Sequence, residues 1–337
     1  MSPEKYMQMA LTLAKKGLHH TSPNPMVGAI IVKDDKIIGQ GYHKKYGGHH
    51  AEVEACLDAE NQGFSLKSAT MYVSLEPCCF EGKTPACTDL IIQKKISEIY
   101  IATLDPNPKV NSKGSEILKQ NGIKTHIGIL SNEAEKLNER FFYAERKQKA
   151  YIALKWAQSQ DKKLGYIGQK TQITNQESIK KTHELRQIYD AILIGSKTCL
   201  IDDPQLNVRH FNGEKKDPIR IILDKDKKIP KTANVFKDQN YIHLTRDNFK
   251  INKNNQFNLE ELQKFLYNKN IKSLLVEGGA KTIKSFIEQK IAQKAYIFTA
   301  PKTLGQNSIN LDLKFDSELI NQKNLNGDDL KEIKITY

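Results

Sequence analysis

Long apolar runs, a disulfide complement and an acidic balance are all missing from this 337-residue chain. Without an apolar stretch of about 20 residues the chain carries no candidate spanning helix, so no membrane role is expected. The start, Met1-Ser2-Pro3-Glu4-Lys5, lacks the basic-then-apolar layout of a secretory signal, which points to the cytoplasm. Five cysteines are an odd set, and three of them fall between Cys78 and Cys87. That clustering suits a metal site in a reducing compartment better than a disulfide framework. Acidic residues number 39 against 52 basic ones, a formal charge of +13. The excess is scattered lysine, as in 248–272, and reads as a solvated surface. It suits a small phosphorylated substrate better than nucleic acid. Internal repeats, low-complexity linkers and a G-x-G-x-x-G fingerprint are also missing, which argues against a Rossmann domain.

What is present is enough chain for two domains. The first part alternates helix and strand signals. Helical spacing runs over 3–17, a hairpin over 27–32 and 36–42, and a helix over 51–62. A strand over 70–75 is followed by a helix over 85–93, a strand over 97–103, a helix over 115–121 and a strand over 124–128. One charged helix is expected over 131–148. From residue 151 the pattern restarts, with strands at 152–157, 191–195, 218–223, 241–244, 273–277 and 295–300. Helices at 176–189, 259–268 and 280–290 intervene. These patterns predict two α/β domains with a boundary near residue 147.

The chemistry-bearing segment is His50-Ala51-Glu52, then Pro77-Cys78 and Cys87. One imidazole and two thiolates are three ligands for a tetrahedral Zn²⁺ and leave the fourth position to water. Glu52 sits close enough to move that water's proton without ligating the metal. His50 and Cys87 fall at helix starts, where the dipole favours a thiolate, and Cys78 falls at a strand's end. A closed four-ligand site recruiting Cys79 or His49 is the structural alternative, but it leaves Glu52 without a task. The pattern matches the zinc-deaminase signature H-x-E…P-C-x-x-C except that eight residues separate the two cysteines.

Further segments narrow the answer. Thr21-Ser22-Pro23-Asn24-Pro25-Met26-Val27-Gly28, His50-Ala51-Glu52, Leu75-Glu76-Pro77-Cys78, Gly82-Lys83-Thr84-Pro85-Ala86-Cys87 and Asp105-Pro106-Asn107-Pro108 follow in order. Together they resemble the deaminase half of the bifunctional riboflavin-biosynthesis deaminase/reductase family, whose cysteines carry this long loop. The resemblance implies an N-terminal cytidine-deaminase-like three-layer α/β/α domain over 1–147. Its implied substrate is a diaminopyrimidinone with a phosphoribosylamino group. Asn24, His43, His49, Lys83, Asp105 and Asn107 are the expected substrate contacts, with the Lys83 ammonium suited to the phosphate.

Two later junctions carry further signals: Gly195-Ser196-Lys197-Thr198 leading to Asp202-Asp203-Pro204, and Glu277-Gly278-Gly279-Ala280. Paired glycines at a helix start let backbone N–H groups approach a phosphate. With Leu154-Lys155, Ser159, Asp161, Leu185-Arg186 and Leu206-Asn207-Val208-Arg209, they resemble the reductase half of the same family. The resemblance implies a C-terminal dihydrofolate-reductase-like α/β domain over 148–337 that uses NADPH to reduce the ribosyl group to ribityl. By it, Gln158, Gln172, Thr198, Asp202, Gly279, Ala280, Lys281, Thr282, Ile283, Lys284 and Ser285 contact the cofactor. Lys225 is placed to meet a 2′-phosphate. Lys170, Arg186, Leu206, Arg209 and Glu277 line the substrate pocket. Lys162 stands where the family commonly has glycine, and Gln172 where it has tryptophan. These two departures predict weaker cofactor contacts over 158–172. The resemblance also implies a homo-oligomer.

Overall fold

The computed structural model describes residues 1–337 except 81–84, 109 and 211–214. The chain divides into two compact units, Met1–Lys147 and Gln148–Tyr337. Among the described residues no helix is long and apolar enough to cross a membrane.

The first unit contains, in chain order, α1 (Pro3–Ala14), β1 (Gly28–Lys33), β2 (Lys36–Tyr42), α2 (Ala51–Asn61) and β3 (Thr70–Val73). Then come α3 (Cys87–Gln93), β4 (Glu98–Ile101), α4 (Lys113–Gln120), β5 (Lys124–Ile127), α5 (Ser131–Leu137) and α6 (Glu139–Lys147). Its five strands order as β2-β1-β3-β4-β5. β1 runs antiparallel to β2 and β3, whereas β3, β4 and β5 are parallel. Both faces of β1 are buried because its side chains alternate between two cores. Ile30 and Val32 meet Tyr6, Met7, Ala10 and Leu11 of α1. Ala29 and Ile31 meet Ala51, Ala55 and Ala59 of α2, with Ile91 of α3 and Leu118 of α4 in the same cluster. The result is the three-layer α/β/α arrangement.

The seating of α2 matters most for function. A Cβ added at Gly39 would lie 2.3 Å from the Ala55 carbonyl oxygen, and one at Gly41 would lie 2.4 Å from the Ala55 nitrogen. Only bare backbone at these two strand positions lets α2 lie this close.

Two sequence expectations are corrected here. The charged helix over 131–148 is two helices, broken at Asn138. Its side-chain amide accepts the Met26 N–H and donates to the Met26 carbonyl, both at 2.8 Å. This pairing holds Asn138 outside helical geometry and ties α5 and α6 to the entry of β1. The helix expected over 85–93 begins only at Cys87, because Ala86 is extended. That conformation leaves the Cys87 N–H free to donate to the Cys78 sulfur at 3.3 Å.

The second unit has β6 (Tyr151–Ser159), β7 (Lys163–Tyr166), α7 (Gln176–Ile188), β8 (Ala191–Gly195), α8 (Ser196–Asp202), β9 (Ile219–Leu223) and β10 (Tyr241–Leu244). It continues through α9 (Leu259–Asn268), β11 (Ser273–Val276), α10 (Ala280–Glu288), β12 (Lys294–Ala300), β13 (Ser308–Asn310), β14 (Asp316–Leu325) and β15 (Asp328–Thr336). Eight strands order as β10-β9-β8-β11-β6-β12-β15-β14, and β13 pairs with β7 separately. The first six are parallel, with buried runs such as Ile192-Leu193-Ile194 and Leu274-Leu275-Val276. Leucines of α9 and Ile283, Phe286 and Ile287 of α10 cover one face. The β14–β15 hairpin was not expected, because β14 is exposed at every residue but Leu325 and so shows no apolar alternation. Its turn, Asn326-Gly327, has positive φ at both residues, as a two-residue hairpin loop requires.

Gly41→Ala should force α2 away from β2 and cost about 2 kcal/mol as overpacking. Thermal unfolding together with zinc content tests this. Wild-type stability and full zinc would show that the close approach has no role.

Candidate active sites

In the first unit three segments meet. His50 is the residue before α2, in extended conformation, Cys78 follows the end of β3, and Cys87 opens α3. The His50 Nδ1 lies 3.5 Å from the Cys78 Sγ and 3.3 Å from the Cys87 Sγ. The three donor atoms lie within 4.8 Å of one another. Tetrahedral zinc bonds of about 2.0 and 2.3 Å place nitrogen and sulfur roughly 3.6 Å apart. The donor set therefore fits zinc in both spacing and type, with Nδ1 as the histidine ligand. Cys79 is not part of this group, which counts against the closed four-ligand alternative.

The protons of the trio tell the same story. Hydrogen bonding from the Cys87 side chain, then from His50 and the Cys87 N–H, holds the Cys78 thiol down to about 4. Its bond to Cys78, together with burial, pushes Cys87 up. The bond to Cys78 raises His50 to about 8. Such shared protons are the ones a bound dication displaces. Cys56, by contrast, lies in the α2 core, where burial pushes its thiol up to about 12.

Glu52 lies in the first turn of α2 and is 3% exposed. Burial raises its carboxyl, and it hydrogen-bonds the Cys87 side chain. The other expected residues form a shell. His43 is buried, its Nδ1 lies 2.9 Å from the His49 carbonyl oxygen and its Nε2 lies 3.4 Å from the Asn24 Nδ2. A carbonyl partner requires a proton on Nδ1, so the Asn24 amide donates to Nε2. The rings of His43 and His50 meet edge to face at 5.5 Å. The His49 side chain turns instead to Glu54 at 3.5 Å and is 55% exposed. Asp105 accepts the Asn107 N–H at 2.8 Å, closing a turn. Lys83 lies outside the described residues.

Glu76, directly before Pro77-Cys78, has a role that its sequence position alone does not show. Its buried carboxylate accepts backbone N–H bonds from Asp105, Ser112 and Ser115 at 3.2, 3.0 and 3.0 Å. The signal available was an acidic residue directly before Pro77-Cys78 at the end of an apolar strand.

In the second unit a cavity of about 990 Å³ opens along β6 and at the ends of β8 and β11. Of the expected cofactor contacts, Gln172, Thr198, Asp202, Lys225, Gly279, Ala280, Lys281, Thr282, Lys284 and Ser285 line it. Added Cβ atoms at Gly195 and Gly278 would lie 2.7 and 2.5 Å from Thr282, so the two strand ends form a cradle that side chains would fill. Thr198 Oγ1 accepts the Gly279 N–H at 3.0 Å and joins the two junctions.

Several expected contacts do not line the cavity. Ile283 is fully buried in the core beneath α10. Leu206 packs among Ile192, Ile194 and Cys199. Gln158 spends its amide on Trp156 and Thr299 at 2.9 and 3.2 Å. Lys170 reaches the Asp202 carbonyl oxygen at 3.4 Å, and Arg209 donates to Gln205 at 2.9 Å.

Glu277 lines the cavity, but Arg186 grips it from behind. The guanidinium donates Nε to Glu277 Oε1 at 2.8 Å and Nη2 to Oε2 at 2.9 Å, and Nη1 to the Asn207 carbonyl oxygen at 3.1 Å. That fork is already satisfied within the protein. Lys155, also given no role by sequence, places its Nζ 3.9 Å from Glu277 and over the Phe298 ring. Burial works against the charge on Glu277, yet Arg186 and then Lys155 outweigh it and hold the carboxyl below its ordinary range. Burial also lowers Lys155. Lys162 has φ 59°, the left-handed conformation that the family's glycine adopts freely.

Both units have known relatives. Residues 1–103 match the family described as cytidine and deoxycytidylate deaminase zinc-binding region, and residues 150–329 match the RibD C-terminal domain. The riboflavin biosynthesis protein RibD of Aquifex aeolicus is 42% identical, over 90% of this chain and 88% of its own. A solved structure of Acinetobacter baumannii RibD superposes with TM-score 0.92 at 32% identity, covering 99% of both chains. The Thermotoga maritima diaminohydroxyphosphoribosylaminopyrimidine deaminase/5-amino-6-(5-phosphoribosylamino)uracil reductase gives 0.87 at 34% identity, again over 99% of both. Since the likeness runs through both units, this chain belongs to the RibD family of bifunctional riboflavin-biosynthesis deaminase/reductases.

Proposed function

We propose that the first unit hydrolyses the amino group of 2,5-diamino-6-(5-phosphoribosylamino)pyrimidin-4(3H)-one. The second unit then uses NADPH to reduce the ribosyl side chain of the product, giving 5-amino-6-(5-phosphoribitylamino)uracil. The observation that carries the reading is the three-donor cage of His50, Cys78 and Cys87 with a buried carboxylate, Glu52, bonded to its edge. Zinc in that cage supplies Lewis acidity that brings the pKa of a water toward neutrality. Glu52 takes the proton of the attacking water and returns it to the departing amino nitrogen. Buried in the first turn of α2 beside the cage, this carboxylate is placed for both transfers. His43, fixed by the His49 carbonyl, holds the segment that leads into His50, and Asn24 turns its amide toward the same place. The Asp105–Asn107 turn offers polar groups to the pyrimidine, and Lys83 an ammonium to the phosphate.

In the second unit the Gly195 and Gly278-Gly279 cradle, with Thr198 and Lys281, suits a dinucleotide pyrophosphate. NADPH supplies the two electrons of the ribosyl reduction when bound there. Lys225 donates to the Asn255 carbonyl at 3.1 Å at the cavity wall, a position from which its ammonium serves a 2′-phosphate. Glu277, held ionised and immobile by Arg186, presents its carboxylate to the sugar hydroxyls, with the Lys155 ammonium beside it as donor. Arg209, at the unit's surface, has a guanidinium able to meet the phosphate of the substrate. A deaminase of nucleosides or tRNA, the alternative that the zinc motif alone allows, leaves this second cavity without a task.

Two outcomes are expected. Glu52→Gln should keep stoichiometric zinc while ammonia release falls by a factor of about 10² to 10⁴, the usual worth of a general acid–base group. Near-wild-type ammonia release would remove Glu52 from the chemistry. Purified deaminase product should drive NADPH oxidation by the wild-type protein, measured as loss of absorbance at the nicotinamide band. No oxidation at high enzyme concentration would mean that the second unit is not a reductase.

A further inference from the structure

We propose that Glu76 is a positioning residue of the deaminase site, whose carboxylate fixes the Asp105–Asn107 turn relative to Cys78. Nothing in the hydrolysis requires Glu76, and no water or titration is asked of it. Its place in the chain is what matters. It directly precedes Pro77-Cys78, so its backbone is continuous with one arm of the metal cage. Its own N–H donates to the Thr103 carbonyl oxygen at 3.0 Å, which extends the β3–β4 alignment to the two strand ends. From there the carboxylate closes a loop at both of its ends. Oε2 accepts the Asp105 N–H where the loop leaves β4 and the Ser112 N–H where it enters α4, and Oε1 accepts the Ser115 N–H one turn further.

The N-terminus of α4 has no cap of its own. Ser112 precedes the helix in left-handed conformation, and its side chain makes no capping bond. A carboxylate from 36 residues earlier takes that place, with the helix dipole in its favour. The contact is close as well as polar. A Cβ at Gly114 would lie 2.2 Å from the Pro77 carbonyl oxygen, so the start of α4 rests directly on the backbone that leads to Cys78. Three charge-assisted bonds on a buried side chain, with a backbone contact beside them, are more than a strand end needs for its own sake. What they align is the turn in which Asp105 accepts the Asn107 N–H.

The inference rests on the reading that this turn meets the substrate, and the test separates the two. Steady-state ammonia release, zinc content, NADPH oxidation and backbone hydrogen exchange are measured on full-length Glu76→Gln, Gly114→Ala and Asn107→Ala. Glu76→Gln keeps the shape but replaces acceptor capacity with an N–H₂ that faces donors. It should raise KM for the pyrimidine about tenfold with kcat within threefold of wild type. Zinc should stay stoichiometric and reductase activity unchanged. Amide exchange at Asp105, Ser112 and Ser115 should speed at least tenfold while β1 is unaffected. Gly114→Ala, whose added Cβ would lie 2.2 Å from the Pro77 carbonyl oxygen and 3.4 Å from Glu76 Oε1, displaces the α4 start while keeping the carboxylate itself and should give the same split. A wild-type KM in Glu76→Gln beside a raised KM in Asn107→Ala would overturn the positioning role. A wild-type KM in both would overturn the reading beneath it as well. Loss of zinc with kcat and KM failing together would show Glu76 to be a support of the metal cage instead.

Discussion

Everything in the first unit depends on how closely α2 lies on β2. His50, the residue before that helix, and Glu52 in its first turn move with it, whereas Cys78 and Cys87 come from the end of β3 and the start of α3. A shift of α2 by the width of one methyl group would carry His50 away from both sulfurs. Gly39 and Gly41 make the close approach possible, and the alanines of α2, at 51, 55 and 59, supply a face small enough to use it. The contact contributes little polar energy. It sets the distance at which one nitrogen and two sulfurs can share a dication.

The second unit solves a different problem with a similar device. Its parallel strands β8 and β11 end side by side at Gly195 and at Glu277-Gly278, and the next helices start there. Bare backbone and two threonines leave an open cradle there, while Arg186 holds Glu277 from the rear. A bidentate pair this buried gains little in net stability over an apolar replacement. What it secures is a carboxylate of fixed charge and direction in a cavity wall. Lys155, beside it and over Phe298, completes a charged floor that no single residue would maintain alone.

Much of this was legible in the sequence because the chemistry demands particular residue types in order. The zinc donors and Glu52 are of that kind, as are the apolar parallel strands. Other features depend on partners far away in the chain. Glu76 reads as one acidic residue until Ser112 and Ser115 are seen to donate to it. Arg186 reads as a residue lining the substrate pocket until Glu277 is seen to occupy its fork. Leu206 and Ile283, expected at ligands, turn inward because their neighbours are apolar. The β14 strand escaped notice since an exposed edge needs no alternation, even though Asn326-Gly327 announced the hairpin. Lys162 was legible as a departure, and its left-handed backbone shows why glycine suits that place.

The central claim is an open zinc site with three protein ligands, and X-ray absorption at the zinc edge of the metal-loaded full-length protein tests it most directly. The account predicts one zinc per chain with two sulfurs near 2.3 Å, one imidazole nitrogen near 2.0 Å and one further light atom, values expected for such a site. A third sulfur, which would bring Cys79 into the shell, or a second imidazole would close the site and contradict the account.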